Sequence, residues 1–171
     1  MKIRLPDLSR LFPLGWPWQA TCQAWAGSLV VSALGAVCFF LYRFQEAKEA
    51  LYIPGPDMLP VLDPEARIAP FPHIFGNALF GFWVVAFCLL LLPIFHYLWH
   101  GQGSKSIYLM RRLPRRSELW RRCLAGPAVL LGLTLLAGVL TLLLCFACYR
   151  SLTPAGHLPE DLWAGIGGIS C

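Results

Sequence analysis

Charge is scarce in this sequence. Asp, Glu, Lys and Arg make up 13% of the 171 residues against 57% hydrophobic residues, too little polar surface to cover an ordinary soluble domain of this size. The scarcity is also uneven, because Leu11 to Tyr42, Ile68 to Ser104 and Cys123 to Tyr149 contain none of the four. Each interval exceeds the roughly 20 apolar residues that an α-helix needs to span a hydrocarbon core of about 30 Å. With no Asp, Glu, Lys or Arg in the middle of any run, the chain lacks the buried ion site or proton relay expected of a secondary transporter.

Other patterns are incomplete. Cys38, Cys88, Cys145 and Cys148 lie inside the apolar runs, where Cys acts as a small hydrophobe and does not mark a secreted disulfide scaffold. Lys2, Arg4 and Arg10 precede the first run as in a secretory leader, but no small-x-small cleavage site follows it, so an uncleaved signal anchor is expected. Cys145-Phe146-Ala147-Cys148 has dithiol spacing but falls at a helix C-terminus, where the dipole disfavours a thiolate. His96 and His100 share a helix face, yet no nearby Asp, Glu or Cys completes a metal site, and Tyr97 and Trp99 suit an interfacial belt. Gly101-Gln102-Gly103-Ser104-Lys105-Ser106 lacks the glycine directly before the lysine that a phosphate-binding loop requires. No cofactor, metal or catalytic constellation is expected, and the chain reads as a non-enzyme.

What remains is an all-α, polytopic helical membrane protein with three transmembrane helices, at about 23–42, 75–98 and 124–149. Together they form a transmembrane domain over 23–149. Pro6, Pro13 and Pro17 break up residues 1–22, predicting an interfacial segment on the cytoplasmic surface with its Trp rings at headgroup level. In the first span Gly27, Val31 and Gly35 fall four apart and offer a face for close helix approach. In the second, Pro93 predicts a bend and Asn77 stands near the start, able to bond a neighbour or simply to be solvated. The loop 43–74 is acidic and proline-rich, read as irregular, and the tail 150–171 is read as poorly ordered.

The loop 99–123 stands apart. Lys105, Arg111, Arg112, Arg115, Arg116, Arg121 and Arg122 face one acid, Glu118. Short loops rich in Lys and Arg stay cytoplasmic, so this loop and the N-terminus are expected inside and the C-terminus outside, in a plasma (inner) membrane. Ser104 can cap a short amphipathic helix from Lys105 to Leu113, with Ile107, Met110 and Leu113 at helical spacing. Arg115, Arg116, Arg121 and Arg122 suit anionic lipid and fix topology. Topological anchoring accounts for the arginines but not for Ser104, Tyr108 and Met110. Nucleic acid is not an expected partner, since so short a tethered loop offers no reading element.

The stretch Gly103-Ser104-Lys105-Ser106-Ile107-Tyr108-Leu109-Met110-Arg111-Arg112-Leu113-Pro114, followed by Glu118-Leu119 and Arg122, resembles a segment of small membrane proteins and permease-like subunits that accompany bacterial ABC-type exporters. The resemblance covers about twenty residues. It implies a coupling helix in which Ile107, Tyr108 and Met110 enter a groove on an ATP-hydrolysing subunit. Ser104 and Lys105 open that helix, and Arg111 and Arg112 meet acidic residues at the groove's rim. The chain departs from the family in having three spans where about six are usual, so the resemblance implies a homodimer or a partner permease. The alternative is a small scaffold or regulatory protein whose basic loop sets topology and binds anionic lipid.

Overall fold

The computed structural model describes residue 12 and residues 16–54, 60–63, 66–102, 116–154, 156–159 and 161–163. Among these the elements run α1 (Trp18–Glu49), β1 (Tyr52–Pro54), β2 (Pro60–Leu62), α2 (Phe71–Phe75), α3 (Phe80–Gln102) and α4 (Arg116–Leu152). The fold is all-α apart from one small hairpin, and three helices are long and apolar enough to cross a membrane, at Trp18–Glu49, Phe80–Leu98 and Cys123–Leu152.

The helices outrun the apolar runs that announced them. α1 begins directly after Pro17, whose carbonyl accepts from the Thr21 N–H at 3.2 Å. It continues past Tyr42 because 43–49 is built of good helix formers, with Gln45 bonded to Glu49 at 3.1 Å and Arg43 to Glu46 at 3.4 Å. Both pairs are exposed, so each contributes at most a few tenths of a kcal/mol. The loop expected to be irregular is thus helical at its start, and β1 and β2 then pair antiparallel, Tyr52 opposite Leu62 and Pro54 opposite Pro60.

The second span does not start at residue 75. α2 stops at Gly76, whose φ of +44° lies in the left-handed region that glycine enters without a Cβ penalty. A turn over 76–79 separates it from α3. Asn77 sits exposed in that turn and bonds the Phe80 N–H through its own carbonyl, so it caps the helix start and is solvated. Pro93 lies inside α3 and Pro127 inside α4.

The chain divides into two compact units, residues 1–31 with 82–137 and residues 32–81 with 138–171. In the first, Phe12, Val85, Leu89 and Leu130 form a buried cluster, with Trp16, Trp18, Cys22, Trp25, Leu92 and Leu131 against it. Trp25 Nε1 donates to Thr134 Oγ1 at 3.0 Å, and that hydroxyl donates to Leu130 O at 2.8 Å. A tie between side chains of different helices matters in hydrocarbon, where burial of apolar surface no longer drives helices together.

In the second unit Phe40, Phe44, Phe71, Phe146, Tyr149 and Trp163 build an aromatic core. Phe71 stands edge-on to Phe146 at 5.3 Å, Tyr149 at 5.7 Å and Trp163 at 5.6 Å, each such pair worth roughly 0.5–1.5 kcal/mol beyond burial. Tyr149 is fully buried and donates its hydroxyl to Ala69 O at 3.0 Å. The tail, expected to be poorly ordered, is stitched down through residue 163. The Ile68 N–H donates to His157 O at 2.9 Å, the Phe71 N–H to Leu162 O at 3.2 Å, and His157 Nε2 to Asp63 O at 3.1 Å.

Close approach of α1 and α3 in this unit occurs at Gly81, where a Cβ would meet Ser32 Oγ at 2.9 Å. The predicted contact face on α1 is not used among the described residues. Gly27 and Gly35 have no described atom within 4 Å of an added Cβ, and Val31 is 71% exposed. On α3 the exposed Trp83, Phe87, Leu90, Ile94 and Leu98 recur at helical spacing, an apolar stripe outward as in a helix whose solvent is lipid.

Candidate functional site

The sequence singles out the connection between α3 and α4. Of its residues, Ser104, Lys105, Ile107, Tyr108, Met110, Arg111, Arg112 and Arg115 lie outside the described residues, as does the predicted helix 105–113. Arg116, Arg121 and Arg122 fall on the first two turns of α4, and Arg121 is exposed. The third span therefore starts as helix eight residues earlier than the predicted 124. α3 in turn runs on from Leu98 to Gln102. At 1.5 Å per residue, α3 extends about 6 Å past the span end predicted at 98 and α4 begins about 12 Å before the start predicted at 124.

Beneath these projecting ends, within the first unit, lies an assembly that follows from one proline. In an uninterrupted helix the N–H of residue 127 would bond the carbonyl of residue 123. Pro127 has no N–H, and Cys123 is buried, so its carbonyl must find a partner within the protein. His96 on α3 supplies the missing donor, its Nδ1 lying 3.3 Å from Cys123 O. This fixes the N–H on Nδ1. His96 is fully buried and ties α3 to α4 through this contact.

The ring of His96 is in turn flanked by two residues that precede α1. Trp16 stands edge-on to it at 4.4 Å and Phe12 at 6.2 Å. Trp16 is held by its own indole N–H, which donates to Thr21 Oγ1 at 2.8 Å. Phe12 is 2% exposed, and its ring occupies the space a side chain at Gly126 would need: an added Cβ there would sit 2.8–3.0 Å from three of its atoms. Gly126 and Pro127 are adjacent, so one short stretch of α4 provides both the socket for Phe12 and the orphaned carbonyl for His96.

The other sequence candidates resolve more simply. Cys145 is fully buried, Cys148 half-buried, and the six described cysteines are all free. Among the described residues no group of three or more His, Cys, Asp or Glu is placed to hold a metal. Sequence reasoning missed Phe12, Gly126 and Pro127. The available signal was Pro127 itself, since a proline inside a span always leaves one carbonyl to be satisfied. Comparison with known protein families, curated proteins and solved structures finds no match for this chain.

Proposed function

We propose that the chain is a non-enzymatic integral membrane subunit of a bacterial ABC-type transport system, which captures an ATP-hydrolysing subunit through the segment Gly103 to Pro114. The observation that carries this reading is the composition of that segment at its place in the chain. An apolar set, Ile107, Tyr108 and Met110, is embedded among Lys105, Arg111 and Arg112, between the helices α3 and α4. Charge alone would serve topology; the apolar residues serve a groove. Ser104 caps the docking helix, Ile107, Tyr108 and Met110 enter the partner, and Arg111 and Arg112 meet its acidic rim. Arg115, Arg116, Arg121 and Arg122 stay at the anionic headgroups, each worth on the order of 1 kcal/mol there.

On this reading the N-terminus and the basic segment face the cytoplasm, and the hairpin and tail face outward across the plasma membrane. Three spans are half the usual permease complement, so the working unit contains a second copy or a partner permease. The test is purification of tagged protein in mild detergent with identification of co-eluting chains. An ATP-hydrolysing subunit is expected with wild type and lost in Tyr108→Ala/Met110→Ala, which keeps every arginine. Capture that survives this double variant, or no such subunit with well-expressed wild type, refutes docking.

A further inference from the structure

We infer that Phe12 and Trp16 act as a clasp that sets the spacing between the facing ends of α3 and α4. Three observations in the first unit converge on this. Phe12 fills a socket that exists only because residue 126 is glycine. Phe12 and Trp16 both stand edge-on to His96, the α3 residue that bonds α4 at Cys123 O. Pro127 removes the internal hydrogen bond of α4 at that level, which leaves the start of the helix dependent on an outside donor for its direction.

The socket is specific. Gly132, on the same helix, has no described atom within 4 Å of an added Cβ, so glycine is required for contact at 126 and not at 132. A methyl group at 126 must displace the Phe12 ring. With the ring displaced, His96 loses the aromatic contact of Phe12, and the α3–α4 tie loses part of its cover. The helices remain inserted, but their ends are no longer held at one separation. The functional consequence, presentation of Gly103 to Pro114, rests on the docking reading; the clasp itself does not.

The test measures distance without any partner. Spin labels on ketone-bearing amino acids replacing Gln102 and Ser117, in protein reconstituted in nanodiscs, report the separation by double electron–electron resonance. Wild type and Gly132→Ala are expected to give one narrow distance peak. Phe12→Ala and Gly126→Ala are each expected to lose it, with helix content by circular dichroism unchanged. A Phe12→Ala or Gly126→Ala distribution matching wild type overturns the clasp. If the peak is lost as expected while wild type captures no ATP-hydrolysing subunit, the clasp stands and the docking reading falls.

Discussion

Replacing His96 by Phe isolates the hydrogen bond that compensates for Pro127. Phenylalanine keeps an aromatic ring in a fully buried position facing Trp16 and Phe12, its larger ring adding a packing cost shared by both backgrounds compared below, whereas alanine would add a cavity penalty of about 2–5 kcal/mol and obscure the polar effect. What Phe removes is the donor to Cys123 O at 3.3 Å. That length is at the long end for N–H···O, which places the bond near the lower part of the range for ties between membrane helices, about 0.6–1.7 kcal/mol. An acceptor left unpaired in a dry surrounding adds a desolvation cost of about 1–3 kcal/mol, partly relieved by local relaxation of the turn around Pro127. The expected loss is therefore about 1–2 kcal/mol. The decisive comparison is the same change in a Pro127→Ala background, where the restored N–H of residue 127 bonds Cys123 O internally. There His96→Phe is expected to cost about 1 kcal/mol less, a coupling above the roughly 0.3–0.5 kcal/mol scatter of independent sites. The assay is reversible unfolding in mixed micelles for all four members of the cycle. Equal cost in both backgrounds would refute the assignment of His96 as Pro127's substitute donor.

Three further outcomes follow from contacts in single units. Gly81→Ala puts a Cβ 2.9 Å from Ser32 Oγ and 3.3 Å from its Cα and is expected to cost about 1–3 kcal/mol through overpacking; Gly27→Ala, in open space, should be neutral or stabilising in the same assay. Trp25→Phe removes the donor to Thr134 Oγ1 and should cost about 0.6–1.7 kcal/mol, an effect that ought to vanish when Thr134 is already Val. His157→Ala cuts the bond to Asp63 O, and hydrogen exchange at the Ile68 amide, which donates to His157 O, is expected to accelerate while amides within α3 are unaffected.

The spans were legible because lipid imposes one rule, the absence of charge over some twenty residues, and the chain obeys it three times. Their ends were not, because that rule lapses where charge returns: 43–49 stays helical on ordinary propensity and pairing, and 116–122 is helical as well. The interior pairings were illegible for another reason: Tyr149 with Ala69 and His157 with Asp63 are 80 and 94 residues apart, and nothing local in the sequence announces a partner at that range. Glycine misled in a way that can be understood. Gly27 and Gly35 show the spacing of a contact face yet an added Cβ there meets no described atom within 4 Å, while Gly81 and Gly126, with no such spacing, are the ones where it would run into a side chain at 2.8–2.9 Å. Spacing selects a face; only the fold decides whether anything stands against it. Of the docking candidates, the sequence alone speaks for Ser104 through Arg112.

The bonds that stitch residues 157 and 162 to residues 68 and 71 also set a timetable for biogenesis. Residue 68 leaves the ribosome with about ninety residues, including two complete spans, still to follow before its partner at 157 is made. The aromatic core around Phe71 must wait the same interval for Phe146, Tyr149 and Trp163. Until then the chain is inserted but its loop-and-tail unit is unfinished, with Phe71 presented to whatever membrane insertase or chaperone attends it. A chain arrested after the second span would expose that surface persistently. Completion of this unit therefore reports that the third span has been delivered across the bilayer, and a protease that recognises the unfinished surface could sort complete chains from stalled ones with no further signal.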